Sequence, residues 1–555
     1  MRRRDCLTGL CALAGLQFVP QTVFGLPKPI EESSENTFIF DVVVVGTGLA
    51  GHCAAISAKE AGAERVLMID KAPLVGGHSA LASGSIAFVD EKRQAAQGIV
   101  DSVDRFVSDA RIAGGDINEE SVRLIAEKSG AGLDWLESQG IRFSTNIFQA
   151  YGGMHPRCVT AFGNMGARRY IFQLHARSRE LGIETRLMTR AVGLHRFEED
   201  KLTLRLADEK TKSEYILQSR SVVLATGGFG ANLPLRMRYN SNLDLEIATT
   251  ANPHGLVKDT ATGDGLFLAK ELGAAWIGME NIVLLSYWGG RMLDYQGAEI
   301  YVDHEGRRFV DETTTTSKIA RAILQLPGRS MYVITDAKSA KGVNVGAKIT
   351  AGSIRLSESI AQMARDMKVP VSELERTIRD YNAHAVAQTP DSFGRTVYTQ
   401  TIDKPPFYWG QERLMIHATL GGLKTDLHGR VKTEDGSVIE GLFAAGEVVG
   451  GIWGKDRLGG TGLLQCVGQK PGVLRPAAVD TAGEHAEQIP QEHCQRQPGE
   501  HLQVGQAGQK NEDDIDHEEE KGELVASIPA VHQFSNEVHH HEIRSSPLKL
   551  KINFF

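Results

Sequence analysis

Residues 41–55, DVVVVGTGLAGHCAA, constrain this chain more than any other stretch. A continuous β-branched run, Asp41–Val45, reads as a buried parallel strand. Gly46-Thr47-Gly48-Leu49-Ala50-Gly51 then fits GxGxxG, and an alanine-rich helix runs to about Gly62. Gly46 permits the turn, Gly48 lets a pyrophosphate approach the backbone, and Gly51 lets helix and strand pack. Val66–Ile69 is the returning strand, and Asp70 ends it where a carboxylate can meet ribose hydroxyls. The unit predicts an α/β fold that binds a dinucleotide. By itself it leaves NAD and FAD open.

Four further strings follow in order: LVGGHSALASGS (74–85), VVLATGGFGAN (222–232), GLFAAGEVVGG (441–451) and DRLGGTG (456–462). With the first, they resemble the flavoprotein family of fumarate reductase and succinate dehydrogenase, especially its soluble periplasmic branch. The resemblance covers roughly residues 40–467. It implies FAD as cofactor and an FAD-binding Rossmann-like domain of the GR2 type carrying an inserted α+β capping domain. On that reading the FAD domain takes residues 38–279 and 419–467, and the cap takes 280–418. The cap stretch shows short strands, Ile300–Val302 and Met331–Ile334, then helices around 356–386.

The resemblance distributes the cofactor contacts along the chain. Gly46, Gly48, Leu49, Ala50, Gly51, Asp70 and Lys71 belong to the first unit. Gly77, His78 and Ser79 match the loop beside the isoalloxazine. His78 stands where respiratory-complex members carry a covalent flavin bond. A hydrogen-bonding histidine beside the ring is the alternative. Ala225, Thr226 and Gly227 match the second strand end that meets FAD, and Asp264 is placed with them. Gly446 and Glu447 match the segment that binds the ribityl chain. A helix starting near Gly462, Leu463 and Leu464 would aim N–H groups at the flavin N1–C2=O edge.

Arg457 matches the family's carboxylate-binding arginine, a role suited to a planar bidentate donor. His417 takes the place of the first of two family histidines, while the second, the substrate contact, is Ala418 here. In the cap, Thr316 stands where the family's proton-donating arginine belongs. Relay positions fall at Met292 and Tyr295, and the cap histidine falls near Leu285. Tyr287, Tyr295, His304 and Arg321 are the replacement candidates near them in sequence.

Bulk properties narrow the partners. The 555 residues suffice for two domains, and a formal charge of −8 disfavours a nucleic-acid surface. The six cysteines form no CxxCH and no CxxC pair, so neither attached haem nor a metal site is expected. Electrons must therefore be exchanged with a separate carrier such as a c-type cytochrome. Residues 1–26 read as a twin-arginine-like export signal, with Arg2, Arg3 and Arg4 ahead of an apolar stretch too short to span a bilayer. They imply a periplasmic protein with no integral membrane span. Beyond Val467 the pattern changes. The family's short Phe-Gly-Arg helix is missing, and NEDDIDHEEEKGE and His539–His541 lie in an aperiodic tail. Residues 468–555 are expected to be disordered, consistent with a lost reading frame.

The activity implied is FAD-dependent reduction, or desaturation, of a carbon–carbon bond beside a carboxylate or similar group. Its substrate would be a small molecule, an unsaturated carboxylate, with fumarate itself not favoured. A carboxylic-acid or 3-ketosteroid-type dehydrogenase is one alternative. A protein that binds flavin but has lost activity with its altered C-terminus is the other.

Overall fold

The computed structural model describes residues 39–468 apart from residues 164, 199, 242, 244–246 and 343. The expected export signal and the tail beyond Gly468 lie outside these residues. The β-branched run at the start forms strand Ile39–Val45, with residues 42–45 buried. It pairs in parallel with Val66–Ile69 on one side and Glu214–Leu224 on the other. Val438–Ala444 extends the parallel run beyond Glu214–Leu224, and Glu184–Arg186 extends it beyond Val66–Ile69. Strand Glu214–Leu224 is longer than the apolar string at 221–225 requires. Its first half pairs with Lys201–Asp208, the second strand of a hairpin begun by Thr189–Glu198.

The register brings the carboxyl ends of four strands to one edge: Val45 is opposite both Ile69 and Leu224, and Leu224 is opposite Ala444. The residues that follow, Gly46, Asp70, Ala225 and Ala445, form a continuous rim, the place where open parallel sheets receive ligands. Helix Leu49–Glu60 rises from this rim with ten consecutive buried residues, Leu49–Ala58. A Cβ on Gly51 would sit 1.9 Å from the Gly46 carbonyl oxygen, so only glycine permits this helix–turn contact.

A second, mostly antiparallel sheet has Phe407–Thr419 at its centre, paired with Ile282–Ser286, Ser330–Thr335 and Ile354–Ser357. Ile300–Val302 adds to its edge. Helices Ile360–Met367 and Val371–Ala387 supply buried apolar faces to this region and are separated by the Val369-Pro370 step. The buried apolar side chains fall into separate clusters. One joins residues from the 40–283 and 420–467 stretches, and two others draw mainly on residues 285–414. Among the described residues no helix is long and apolar enough to cross a membrane.

Candidate functional site

One large cavity runs from the rim of the parallel sheet to the end of strand Phe407–Thr419. Its wall includes Gly46, Gly48, Leu49, Ala50, Asp70, Lys71, Gly77, His78, Ser79, Ala225, Thr226, Gly227, Asp264, His417, Glu447, Arg457, Gly462 and Leu463. Residues separated by more than 400 positions are thus brought together. Three of the expected positions, Gly51, Gly446 and Leu464, lie behind this wall. Gly51 packs on the glycine turn, the Gly446 carbonyl accepts from Gln465 Nε2 (2.9 Å), and Leu464 belongs to the core.

The sheet end of the cavity is polar and already ordered. Asp70 accepts from the Thr47 N–H (2.9 Å) and hydroxyl (2.7 Å), which ties the glycine turn to the second strand. Ser79 Oγ accepts from the Leu49 N–H at 3.1 Å. Helix Leu49–Glu60 has no acidic residue in its first turn, so its positive end is free for phosphate. Lys71 pairs with Asp264 at 3.0 Å. Glu447 accepts from the Thr419 N–H at 2.9 Å. An extended dinucleotide fits this sequence of donors and acceptors.

His78 is held by Asp259, a residue that sequence alone did not single out. The Nε2–Oδ1 distance is 2.6 Å. Burial opposes both charges, but the pair wins: the carboxyl falls to about 2 and the imidazole rises above its ordinary value. The raised imidazole contributes stability that is present at low pH and fades as pH rises through its folded value. His78→Asn is therefore expected to lower stability more in mildly acidic than in mildly alkaline buffer. Urea titrations at the two pH values check this, and an equal loss at both would deny the ion pair.

At the far end, Arg457 and His417 meet. Arg457 Nη2 lies 3.3 Å from His417 Nε2, and His417 Nδ1 lies 3.2 Å from the Thr250 hydroxyl. Burial, with Arg457 and Arg291 as neighbouring cations, pushes the imidazole down to about 3. It is neutral at physiological pH, so Nε2 accepts from the guanidinium and Nδ1–H donates to Thr250. This tautomer cannot act as an acid toward a ligand, but it aims the arginine. Helix Thr461–Gly468 leaves room for the guanidinium because a Cβ on Gly462 would lie 2.9 Å from Arg457 Nη2. Among the described residues Arg457 forms no ion pair, and burial lowers its pKa. Glu447 and Asp456 pull against that burial without pairing with Arg457, and a desolvated, unpaired guanidinium facing a cavity suits an anion.

A second cation faces the same cavity. Arg291 also lacks an ion pair among the described residues, and its guanidinium carbon stands 3.7 Å above the Tyr151 ring. Its turn is fixed by Glu412, a fully buried carboxylate that accepts from the N–H groups of Trp288, Gly289 and Arg291. Lys348 lines the wall beside it and donates to the Arg291 carbonyl at 2.6 Å. Sequence reasoning passed over Arg291, Lys348 and Tyr151. The available signal was the arginine directly after a Gly289-Gly290 pair.

Of the four replacement donors considered from sequence, Tyr287 lines the cavity. Tyr295 instead accepts from the Ala340 N–H (3.1 Å), His304 bonds Ser330 Oγ (2.8 Å), and Arg321 is exposed on helix Thr316–Leu324. Met292 and Leu285 are in the wall, whereas Thr316 is buried outside it, against Gly152.

The glycine turn, the ordered polar wall and the unpaired arginine define an FAD-dependent oxidoreductase. The FAD binding domain family matches residues 41–463. A probable fumarate reductase, Ifc3, of Shewanella frigidimarina (strain NCIMB 400) is 33% identical over 471 residues, covering 82% of this chain and 76% of that protein. The urocanate reductase of Eggerthella lenta is 28% identical over 458 residues, covering 78% and 73%. Among solved structures, the open conformation of a flavocytochrome c3 fumarate reductase superposes with a TM-score of 0.61 at 30% identity, covering 80% of this chain and 78% of that one. The chain belongs to the FAD-binding flavoprotein family of fumarate reductase and succinate dehydrogenase.

Proposed function

We propose that this protein reduces a carbon–carbon double bond conjugated to a carboxylate or similar acceptor group, and that Arg457 holds that group. The observation carrying the reading is the Arg457 guanidinium, aimed by neutral His417 and facing the cavity without an ion pair among the described residues. Bound FAD supplies the hydride and, in the reverse sense, accepts it. Arg457 would draw electron density toward the carboxylate and leave the far carbon open to hydride attack. His417 would hold the fork in plane through Nε2. The ordered wall from Thr47 to Lys71 would carry the dinucleotide, with Glu447 and the start of helix Thr461–Gly468 beside the ring system.

His78 engages Asp259 through Nε2, which occupies one of the two nitrogens a covalent link could use, and this supports a non-covalent cofactor. Acid precipitation is expected to release the yellow colour into the supernatant. Colour retained with the protein would point to the covalent alternative.

The export reading rests on the arginine-rich start, and the separate electron carrier rests on the lack of a CxxCH string. Both stay with this proposal. Fumarate is not favoured, because Ala418 replaces the second histidine and Thr316 packs outside the cavity wall. General acid catalysis typically contributes about 10²–10⁴-fold, so a substrate matched to the family's missing donor should react about 10²-fold or more below the best one. The decisive experiment mixes dithionite-reduced protein with a panel of unsaturated carboxylates and follows flavin reoxidation. If none reoxidises it, the reading fails. If fumarate is the fastest, the disfavour toward fumarate fails.

A further inference from the structure

Two glutamates lie fully buried in the cap, and their surroundings differ. Glu312 accepts from Arg308 Nε (2.7 Å) and Arg395 Nη1 (2.7 Å), and Arg308 also reaches Asp391 (2.6 Å). Glu299, 3% exposed, has no ion pair among the described residues. Its Oε1 is 2.8 Å from the Tyr301 hydroxyl, and its Oε2 is buried without any hydrogen-bond partner. Arg308 and Arg395 are taken up by Glu312 and Asp391, and Arg291, the neighbouring cation not so paired, forms no ion pair with Glu299. An isolated buried carboxyl costs stability unless it stays protonated.

The chain of contacts leads from this acid to the cavity. Tyr301 and Tyr151 pack in one buried cluster, and their phenols interact. Tyr151 lines the cavity beside Gly459 and Arg457, and the Arg291 guanidinium covers its ring. Glu299, Tyr301 and Tyr151 are thus successive neighbours, the last at the wall of the proposed substrate chamber.

We propose that Glu299, acting through Tyr301 and Tyr151, supplies the proton that the reduced double bond takes up. This rests on the reductase reading above. Hydride from reduced flavin brings two electrons and one hydrogen to one carbon. The former π pair on the other carbon takes the Tyr151 proton as that O–H bond breaks. Tyr301 reprotonates the Tyr151 oxygen, and Glu299 reprotonates Tyr301. Glu299 is left as carboxylate and regains a proton from solvent between turnovers. Arg291 over the Tyr151 ring lowers the cost of the passing phenolate.

Burial holds the Glu299 carboxyl up at about 7, against the pull of Arg291, Tyr301 and Arg395 and with Glu312 adding to the rise. Lys348, Tyr151 and Tyr295 complete the ionisable groups around it. A donor of this kind is loaded at low pH and empties as pH rises through its folded value. The wild-type rate of flavin reoxidation should therefore fall on the alkaline side.

The test uses flavin-loaded, dithionite-reduced protein and the best unsaturated carboxylate from the panel. Glu299→Gln keeps the side-chain shape and is expected to slow reoxidation about 10²-fold and to abolish the alkaline limb. Infrared titration of the substrate-free protein should show a protonated carboxyl band lost near neutral pH in wild type and missing in Glu299→Gln. Tyr301→Phe should be slow while keeping that band. Flavin spectra and melting temperatures verify that the variants are folded. A Glu299→Gln protein with wild-type rate and alkaline limb, or with the band intact, overturns the relay alone. A wild-type protein that no unsaturated carboxylate reoxidises overturns the reductase reading and the relay with it.

Discussion

Arg457→Ala should cost the protein about 30- to 4,000-fold in kcat/KM toward its own substrate. Truncating one partner of a buried charge pair typically costs about 2–5 kcal/mol, and each 1.4 kcal/mol is about tenfold. The loss should appear in kcat as well as in KM, because Arg457 would attract charge that grows as hydride arrives. Arg457→Lys should remain impaired, since an ammonium cannot reproduce the planar fork that His417 aims. Stability should move the other way. Burial depresses the Arg457 pKa in the substrate-free cavity, so the empty protein bears an unfavourable charge. Arg457→Met, of similar volume, is expected to bind flavin and melt no lower than wild type. Steady-state kinetics and thermal melts of the two variants test both halves. An unchanged kcat/KM would remove Arg457 from the reacting region.

The cofactor end of this site is legible in the sequence for a local reason. A glycine turn between a β-branched strand and an alanine-rich helix has few other uses, and parallel pairing carries Asp70 and Ala225 to the same rim. Arg457 was also visible, through the resemblance of Asp456–Gly460 to the family's carboxylate-binding segment, and Gly462 leaves its guanidinium the room it needs. The rest of the substrate end was not legible. Arg291 is placed by a turn whose N–H groups converge on Glu412, 121 positions away, and no local pattern encodes that convergence. The stack of Arg291 on Tyr151 joins segments 140 residues apart. Thr316, matched to the family's donor position, is buried against Gly152 and outside the cavity wall, a placement no local pattern encodes.

The second large effect is expected at Arg291. Its guanidinium lines the chamber without an ion pair among the described residues, and its neighbours Tyr301, Tyr151, Glu299 and Asp294 keep it charged despite burial. Arg291→Met should lower kcat/KM by about 10²–10³-fold, the range of about 3–4 kcal/mol for removing a desolvated charged contact. Arg291→Lys should recover part of this, because a point charge still lowers the Tyr151 phenol but no longer covers the ring. Unlike Arg457→Met, Arg291→Met should not stabilise the empty protein, since the charged form is favoured where it stands. It should also leave a titration signature. Burial is the main cause that raises the Glu299 carboxyl, and Arg291 is the largest opposing pull. Removing that cation should move the Glu299 carboxyl band further toward alkaline pH. A variant with reduced rate and an unmoved band would make Arg291 a substrate contact independent of Glu299. A variant with full activity on every carboxylate tested would show that the chamber is served by Arg457 alone.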